Sequence, residues 1–133
     1  MGQTPTTVAR ALYAALEAGE HGHQLARFFT EDAITIEHPN RIKPRGGRAD
    51  LPAMLAASNA GAGLLSEQRY DVRSCHDVGT MAVVRATWTG VIARDLGQFR
   101  EGQRLVAHLA QFIDICDGRI ARIETFDCYE PFD

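Results

Sequence analysis

The sequence predicts an α+β fold in which helices from the first half of the chain cover a strongly curved, mostly antiparallel sheet. Three observations indicate this. Apolar residues recur at helical spacing near the start of the chain, and the spacing changes to strict alternation after residue 70. A single Asp-Gly pair then joins the last two alternating segments, as a tight hairpin requires. With 133 residues, the chain is expected to form one domain, residues 1–133.

Three helices are predicted ahead of the alternating segments. The first runs from Val8 to Ala18 and stops at Gly19. The second covers residues 24–29. The third begins after Asp50, a good N-cap residue, and has Pro52 in its first turn, where a missing N–H costs nothing. The residues predicted to face inward are Leu25, Phe28 and Phe29 on the second helix, and Leu51, Met54, Leu55 and Leu64 on the third.

Five strands are predicted. In the first, from Ala33 to His38, the residues Ile34, Ile36 and His38 share one face, and the two isoleucines assign that face to the interior. Pro39 ends this strand because it has no N–H for the ladder. A loop, "RIKPRGGR", follows. The other strands are predicted at Tyr70 to His76, Met81 to Ile92, Leu105 to Cys116 and Ile120 to Tyr129, the last two joined at Asp117-Gly118.

Composition and charge exclude several classes of function. The chain has 14 Lys and Arg against 17 Asp and Glu, and a net charge of -3 argues against a nucleic-acid partner. No run approaches the ~18 apolar residues of a membrane span. The three cysteines lack metal-site spacing, and His21 and His23 have no third ligand nearby, so neither a metal nor a cofactor is predicted. A reduced, cytoplasmic setting is expected.

Three segments carry a family resemblance. They are "FFTEDAITIEHP", "LVAHLAQF" leading into "DGRI", and the terminal "DCYEPF". In this order and spacing the chain resembles the nuclear transport factor 2-like superfamily, and within it the SnoaL-like polyketide cyclases and the ketosteroid isomerases. The resemblance implies a cystatin-like cone in which a curved sheet and three N-terminal helices enclose one deep pocket. It also implies a small hydrophobic ligand and a homodimer.

The resemblance carries over to individual positions. In ketosteroid isomerases the general base is an Asp in a Glu-Asp-Pro segment closing the first strand, and this chain has His38 there, between Glu37 and Pro39. The tyrosine that donates to the oxyanion corresponds to Tyr13. The second donor of the isomerases is an acid, and its position corresponds to Ala110, a departure that argues against steroid isomerisation itself.

Alternation adds further candidates for the pocket. Asp127 shares a face with Ile123 and Thr125, and this face is expected to line the pocket. On the preceding strand, His108 shares a face with Ala110 and Phe112. The predicted catalytic residues are therefore His38, Asp127, Tyr13 and His108, and the predicted substrate-binding residues are Trp88, Ile36, Phe112, Ile123 and Thr125.

These residues suit proton transfer, because an imidazole titrates near pH ~6.5 and a carboxylate can orient it. The first hypothesis is a cofactor-free lyase or isomerase acting on a hydrophobic cyclic carbonyl compound. The second is a non-catalytic binding or accessory protein, and the third an interaction module that uses the outer sheet face. Each residue also has a purely structural interpretation: His108, Tyr13 and Trp88 as packing residues, and Asp127 as a structural acid. Residues 94–102 are predicted to form a surface loop that overhangs the pocket.

Overall fold

The structure is a computed structural model that describes residues 3–132, in which two α-helices, one 3-10 helix and six strands follow one another. The predicted order of elements is confirmed, with one short strand added. In chain order the elements are α1 (Pro5–Glu17), the 3-10 helix (Gly22–Phe28), β1 (Phe29–Glu37), β2 (Gly47–Asp50), α2 (Leu51–Ala60), β3 (Leu65–Val78), β4 (Met81–Ile92), β5 (Arg104–Cys116) and β6 (Arg119–Tyr129).

The six strands found in residues 3–132 form a single curved, open sheet in the order β2-β1-β6-β5-β4-β3. All neighbouring strands are antiparallel except β1 and β6, which are parallel. The α+β prediction of a mostly antiparallel sheet is therefore confirmed. We call the side covered by the helices the inner face and the opposite side the outer face.

The helix ends follow their capping residues. Thr4 caps α1 by accepting the backbone N–H of Thr7 at 3.3 Å, so the helix begins three residues before the predicted start. Asp50 caps α2 as predicted, and its Oδ1 accepts the N–H of Ala53 at 3.0 Å. Because α2 ends at Ala60, Leu64 lies beyond it. The second predicted helix is a 3-10 helix rather than an α-helix.

The strand predictions differ from the structure mainly at their ends. β4 has the predicted bounds, whereas β3 extends the predicted segment in both directions. At the hairpin between β5 and β6, Asp117 and Gly118 have φ angles of 51° and 77°, as a type I′ turn requires. Strand β2 falls within the predicted loop, because its sequence "GRAD" has no apolar alternation to reveal it.

The core lies between α1 and the inner face of the sheet. Val84 and Ile113 are at most 1% exposed there, and Ala9 of α1 is fully buried against them. Along β6 the inner-face residues change from apolar to polar. Ile120 belongs to the core, whereas the strand ends with three inward polar residues, Thr125, Asp127 and Tyr129. The inner face at the end of β6 therefore lies beyond the hydrophobic core.

Candidate functional site

Strand register determines which side chains face the helices. Directly opposed residues of neighbouring strands point to the same face. Asp127 lies opposite Leu109, and Tyr129 lies opposite Ala107, and both of these β5 residues belong to the buried inner side. Thr125 precedes Asp127 by two residues and shares its face. The structure therefore places Asp127 and Thr125 on the inner face, where the sequence expected them.

A directional chain of hydrogen bonds crosses this face. The Tyr13 hydroxyl of α1 donates to Gln111 Oε1 at 2.5 Å, and Gln111 Nε2 donates to Thr125 Oγ1 at 3.0 Å. The Thr125 hydroxyl in turn donates to Asp127 Oδ1 at 2.5 Å. Each donor is used once, so the chain has one direction and ends at a carboxylate. This fixes the Gln111 amide and orients Asp127.

Asp127 holds its proton more tightly than an ordinary aspartate. Burial raises the pKa of its carboxyl, and the hydrogen bond from Thr125 opposes this change. The negative charge of Glu37 raises the pKa of Asp127 further. A carboxyl whose proton is held at higher pH is suited to giving and taking a proton in the same reaction.

Three tyrosines lie in or beside this chain of hydrogen bonds. The rings of Tyr13 and Tyr70 stack with centroids 4.6 Å apart and planes 11° apart. Burial raises the pKa of both phenols well above the ordinary range. Burial also raises the pKa of Tyr129 to about 12, with smaller contributions from Asp127 and Glu37. All three hydroxyls therefore stay protonated donors at neutral pH.

The tyrosines provide a direct test of this burial, since the chain has only these three. We expect the folded protein to show no tyrosinate absorbance with a midpoint near the ordinary phenol pKa of ~10, whereas in denaturant all three should titrate there. A phenol whose folded pKa is raised favours folding below pH ~10, and this contribution is lost as the pH rises further. Absorbance at 295 nm, with circular dichroism to monitor folding, measures both. A folded-state phenol titrating near pH 10 would contradict the burial.

Trp88 forms a second wall on the inner face. Its indole Nε1 donates to Gln68 Oε1 at 3.0 Å, and its ring meets Tyr129 edge to face at 6.3 Å. The ring lies over Gly90, where an added Cβ would come within 2.5 Å of Trp88 Cη2. Gly90 thus leaves the space that this indole occupies.

The prediction that His38 points inward is wrong. In the parallel pairing of β1 with β6, Ile36 lies beside Glu124 and Glu37 beside Thr125. Ile36 and His38 therefore lie on the outer face. There His38 Nε2 is 2.7 Å from Glu124 Oε2, and its ring stacks on Phe126 at 4.2 Å.

The error has a physical cause. The isoleucines of β1 are only half-buried, whereas the inward residue Ala33 is fully buried. Ala33 carries little apolar surface, so the larger Ile34 and Ile36 determined which face of β1 was predicted to be buried. A large apolar residue on an outer face is common in folded proteins and does not identify the core side.

The predicted convergence of His108 on Asp127 is also wrong. His108 lies opposite Cys128, on the outer face, and its Nε2 is 2.8 Å from Glu130 Oε2. Phe112 shares this face and contacts the ring of Phe126 edge to face at 6.0 Å. Phe112 and Ile36 thus do not lie beside Thr125, Ile123 and Trp88 as the substrate-binding prediction required.

The assignment of Ala110 to the position of the second isomerase donor is not supported by where its side chain points. Ala110 lies opposite Phe126 on the outer face, and its neighbour Gln111 points inward to Tyr13. The two-residue turn at Asp117-Gly118 alone would pair Ala110 with Thr125, but the register shifts by one residue between Ile115 and Asp114, so Gln111 lies opposite Thr125. An amide therefore occupies the inward position that was assigned to alanine.

Glu37 is a second inward residue, besides Gln111, that the sequence did not predict. Asn40 Nδ2 donates to Glu37 Oε2 at 2.7 Å, and Lys43 Nζ is 3.5 Å from Glu37 Oε1. Its carboxylate influences both Asp127 and Tyr129. The signal was present in the sequence, because Glu37 alternates with Ala33, the buried residue of β1.

Within residues 3–132, no group of three or more His, Cys, Asp or Glu side chains is arranged to hold a metal ion. None of the helices described is long and apolar enough to cross a membrane.

Comparison with known proteins places this arrangement in context. The family model described as a SnoaL-like domain matches residues 9–123. None of the curated proteins matches the sequence. The fold is similar to that of several solved structures. IdmH, a proposed polyketide cyclase from Streptomyces antibioticus, has a TM-score of 0.75 at 17% identity, and the match covers 94% of this chain and 92% of IdmH.

Two other structures share the fold. A protein with a ketosteroid isomerase-like fold from Catenulispora acidiphila, in complex with trimethylamine, has a TM-score of 0.71 at 14% identity over 93% of this chain and 86% of that one. A cystatin-fold protein from Novosphingobium aromaticivorans has a TM-score of 0.68 at 19% identity, over 94% of this chain and 99% of its own. At these identities the likeness establishes the fold.

Proposed function

The chain belongs to the SnoaL-like domain family, and from this premise we propose that it is a cofactor-free cyclase or isomerase. Its substrate would be a hydrophobic cyclic carbonyl compound, bound on the inner face in a deep pocket. One observation carries the proposal: Asp127 is an inward carboxyl with a raised pKa at the end of a fixed chain of hydrogen bonds. Such a group can remove a proton next to a carbonyl and return it elsewhere.

In this mechanism Asp127 is the general acid and base. Thr125 holds one carboxylate oxygen, which leaves the other free to meet a C–H bond of the substrate. Tyr13 would donate to the developing oxyanion by exchanging its hydrogen bond to Gln111 Oε1 for one to the substrate. Gln111 would donate the Nε2 hydrogen that its bond to Thr125 does not use. Tyr13 thereby keeps the role that the family resemblance implied, with Gln111 as its partner.

The neighbouring rings support a flat, apolar substrate. Trp88, Tyr70 and Tyr129 surround the polar chain, and Ile123 adds apolar surface beside Thr125. Binding sites for small molecules combine such apolar walls with a few directed polar groups. A fused-ring ketone would place its rings against these walls and its carbonyl at Tyr13 and Gln111.

The experiment that tests the proposal is hydrogen exchange at carbon. Wild-type protein is incubated in D2O with 2-tetralone, a fused-ring ketone with an acidic C–H next to the carbonyl, and deuterium incorporation is followed by NMR. We expect exchange above the buffer rate. Binding is measured separately with 2-naphthol, a planar analogue of the enol, through the fluorescence of Trp88, the single tryptophan of the chain.

A non-catalytic binding protein is the second candidate. The separation of His38 and Asp127 on opposite faces favours it, because the site then lacks the imidazole expected to act as base. This candidate predicts quenching of Trp88 by 2-naphthol with no deuterium incorporation. The same pair of assays therefore distinguishes the two functions.

The family resemblance implies a homodimer, and we infer that it forms through the outer face. Phe126 supports this, since it is 42% exposed on that face. Phe126→Arg should convert the dimer to a monomer, because a charge would be buried in the interface. Sedimentation velocity of both proteins measures this, and a wild type that is monomeric at ~100 μM would contradict the inference.

A further inference from the structure

We propose that Glu37 is a second carboxylate of the site, positioned by the loop at residues 38–46, and that it controls whether Asp127 carries a proton. The inference rests on the proposed function for its catalytic meaning. The placement of Glu37 is independent of that function. The family resemblance assigns a role to the neighbouring His38 and none to Glu37.

Strand geometry brings the two acids together. Glu37 is the register partner of Thr125 in the parallel β1–β6 pair, and Asp127 is two residues further along the same face. Diagonal neighbours of this kind have Cα atoms about 7–8 Å apart, within reach of two inward side chains. Thr125, hydrogen-bonded to Asp127, lies directly beside Glu37.

The loop after β1 holds Glu37 from the other side. Asn40 donates to one carboxylate oxygen at 2.7 Å and also to the carbonyl of His38 at 3.0 Å. Lys43 approaches the other oxygen at 3.5 Å. Both contacts come from one short segment, so the position and the charge environment of Glu37 are set by that loop.

Few charged groups compete with Glu37 for influence on Asp127. The titratable groups that face Asp127 from the elements around it are Tyr13 on α1, Tyr70 on β3 and Tyr129 on β6. Their raised pKa values keep them neutral at physiological pH. β4 and β5 present Trp88 and Gln111, which do not titrate, and α2 has no titratable residue. Glu17 on α1 accepts the backbone N–H of Tyr70 at 2.7 Å and its charge acts on that phenol, whereas the charge that acts on Asp127 is that of Glu37, with Lys43 behind it.

The signs of two substitutions follow from this arrangement. Removing the negative charge with Glu37→Gln makes the ionised form of Asp127 less unfavourable, so its titration midpoint should fall. Lys43→Met removes a positive charge behind Glu37, so the midpoint should rise. Lys43 is about half exposed, and its effect is screened by solvent. We therefore expect the titration midpoint of Asp127 to fall in the first variant and to rise by a smaller amount in the second.

The test is a carbon-13 NMR titration of the Asp127 carboxyl in wild type, Glu37→Gln, Lys43→Met and the charge-preserving control Lys43→Arg. The signal is assigned by its absence in Asp127→Asn. Opposite shifts, with the arginine variant close to wild type, are expected. Two midpoints that do not move, or that move in the same direction, would overturn the inference. Only an electrostatic effect is expected to shift the midpoint in opposite directions according to the sign of the charge removed.

The same variants separate this inference from the proposed function. If the midpoints shift as expected and no variant exchanges deuterium into 2-tetralone, Glu37 controls Asp127 but the protein is not an enzyme for such ketones. If exchange occurs and the midpoints do not move, the proposed activity is supported and Glu37 does not affect the protonation of Asp127. When both hold, the acid limb of the exchange rate against pH should move with the NMR midpoint in each variant.

Discussion

Replacing Asp127 with Asn should reduce the rate of deuterium exchange into 2-tetralone by roughly 10²–10⁴-fold, the usual contribution of a positioned acid or base. The amide keeps the size of the side chain and still accepts a hydrogen bond from Thr125. It loses only the ability to take a proton. Binding of 2-naphthol, measured through Trp88, should change little, so the loss would appear in turnover and not in affinity.

The same variant has a distinct effect on stability. Because the pKa of Asp127 is raised in the folded state, the wild type loses stability as the pH rises from the unfolded value of ~3.9 through the folded value. Asp127→Asn has no such charge. Its thermal midpoint should therefore exceed that of the wild type at pH 7, and the difference should disappear near pH 3. An inactive variant that is also more stable at pH 7 cannot owe its inactivity to unfolding.

Replacing Gly46 with Ala should destabilise the fold by about 3 kcal/mol. Gly46 has a φ of 65°, in the left-handed region, and an added Cβ would collide with the carbonyl oxygen of Glu37. It would also come within 3.0 Å of the Pro39 nitrogen. Relief of this clash requires the loop to move away from the end of β1, which would release Glu37 from its partners.

Gly79 provides a matched control for this substitution. It has a φ of 60°, and an added Cβ there would meet nothing within 4 Å. Gly79→Ala should cost only the left-handed backbone term of about 1 kcal/mol. Chemical denaturation of both variants measures the difference, which isolates the collision with β1. Equal destabilisation of the two variants would show that the loop does not press on β1 as described.

Much of the fold follows from local patterns in the sequence. β4 and the β5–β6 hairpin were predicted closely because alternation and the Asp-Gly turn are strong signals within a few residues of each other. β2 was missed because four residues without apolar alternation become a strand only by pairing with β1. The pairing is a property of the folded chain and leaves no local mark.

The site was predictable only in part, for a related reason. Asp127 lies on β6 and Trp88 on β4, where apolar residues mark the buried side, and the inward placement of both followed from alternation. On β1 the larger residues lie on the outer face, and the small Ala33 marks the inner one. Once that face was inverted, His38 was chosen and Glu37 was passed over. Alternation assigns residues to two faces, but only packing against the helices decides which face is inside.

The most direct test of the account compares His38→Gln with Asp127→Asn by the initial rate of deuterium incorporation into 2-tetralone. His38 lies on the outer face beside Glu124, so its variant should retain the wild-type rate within about threefold, whereas Asp127→Asn should lose at least two orders of magnitude. The reverse result, loss of exchange in His38→Gln with the rate preserved in Asp127→Asn, would contradict the inner-face carboxylate as the acid and base of this protein.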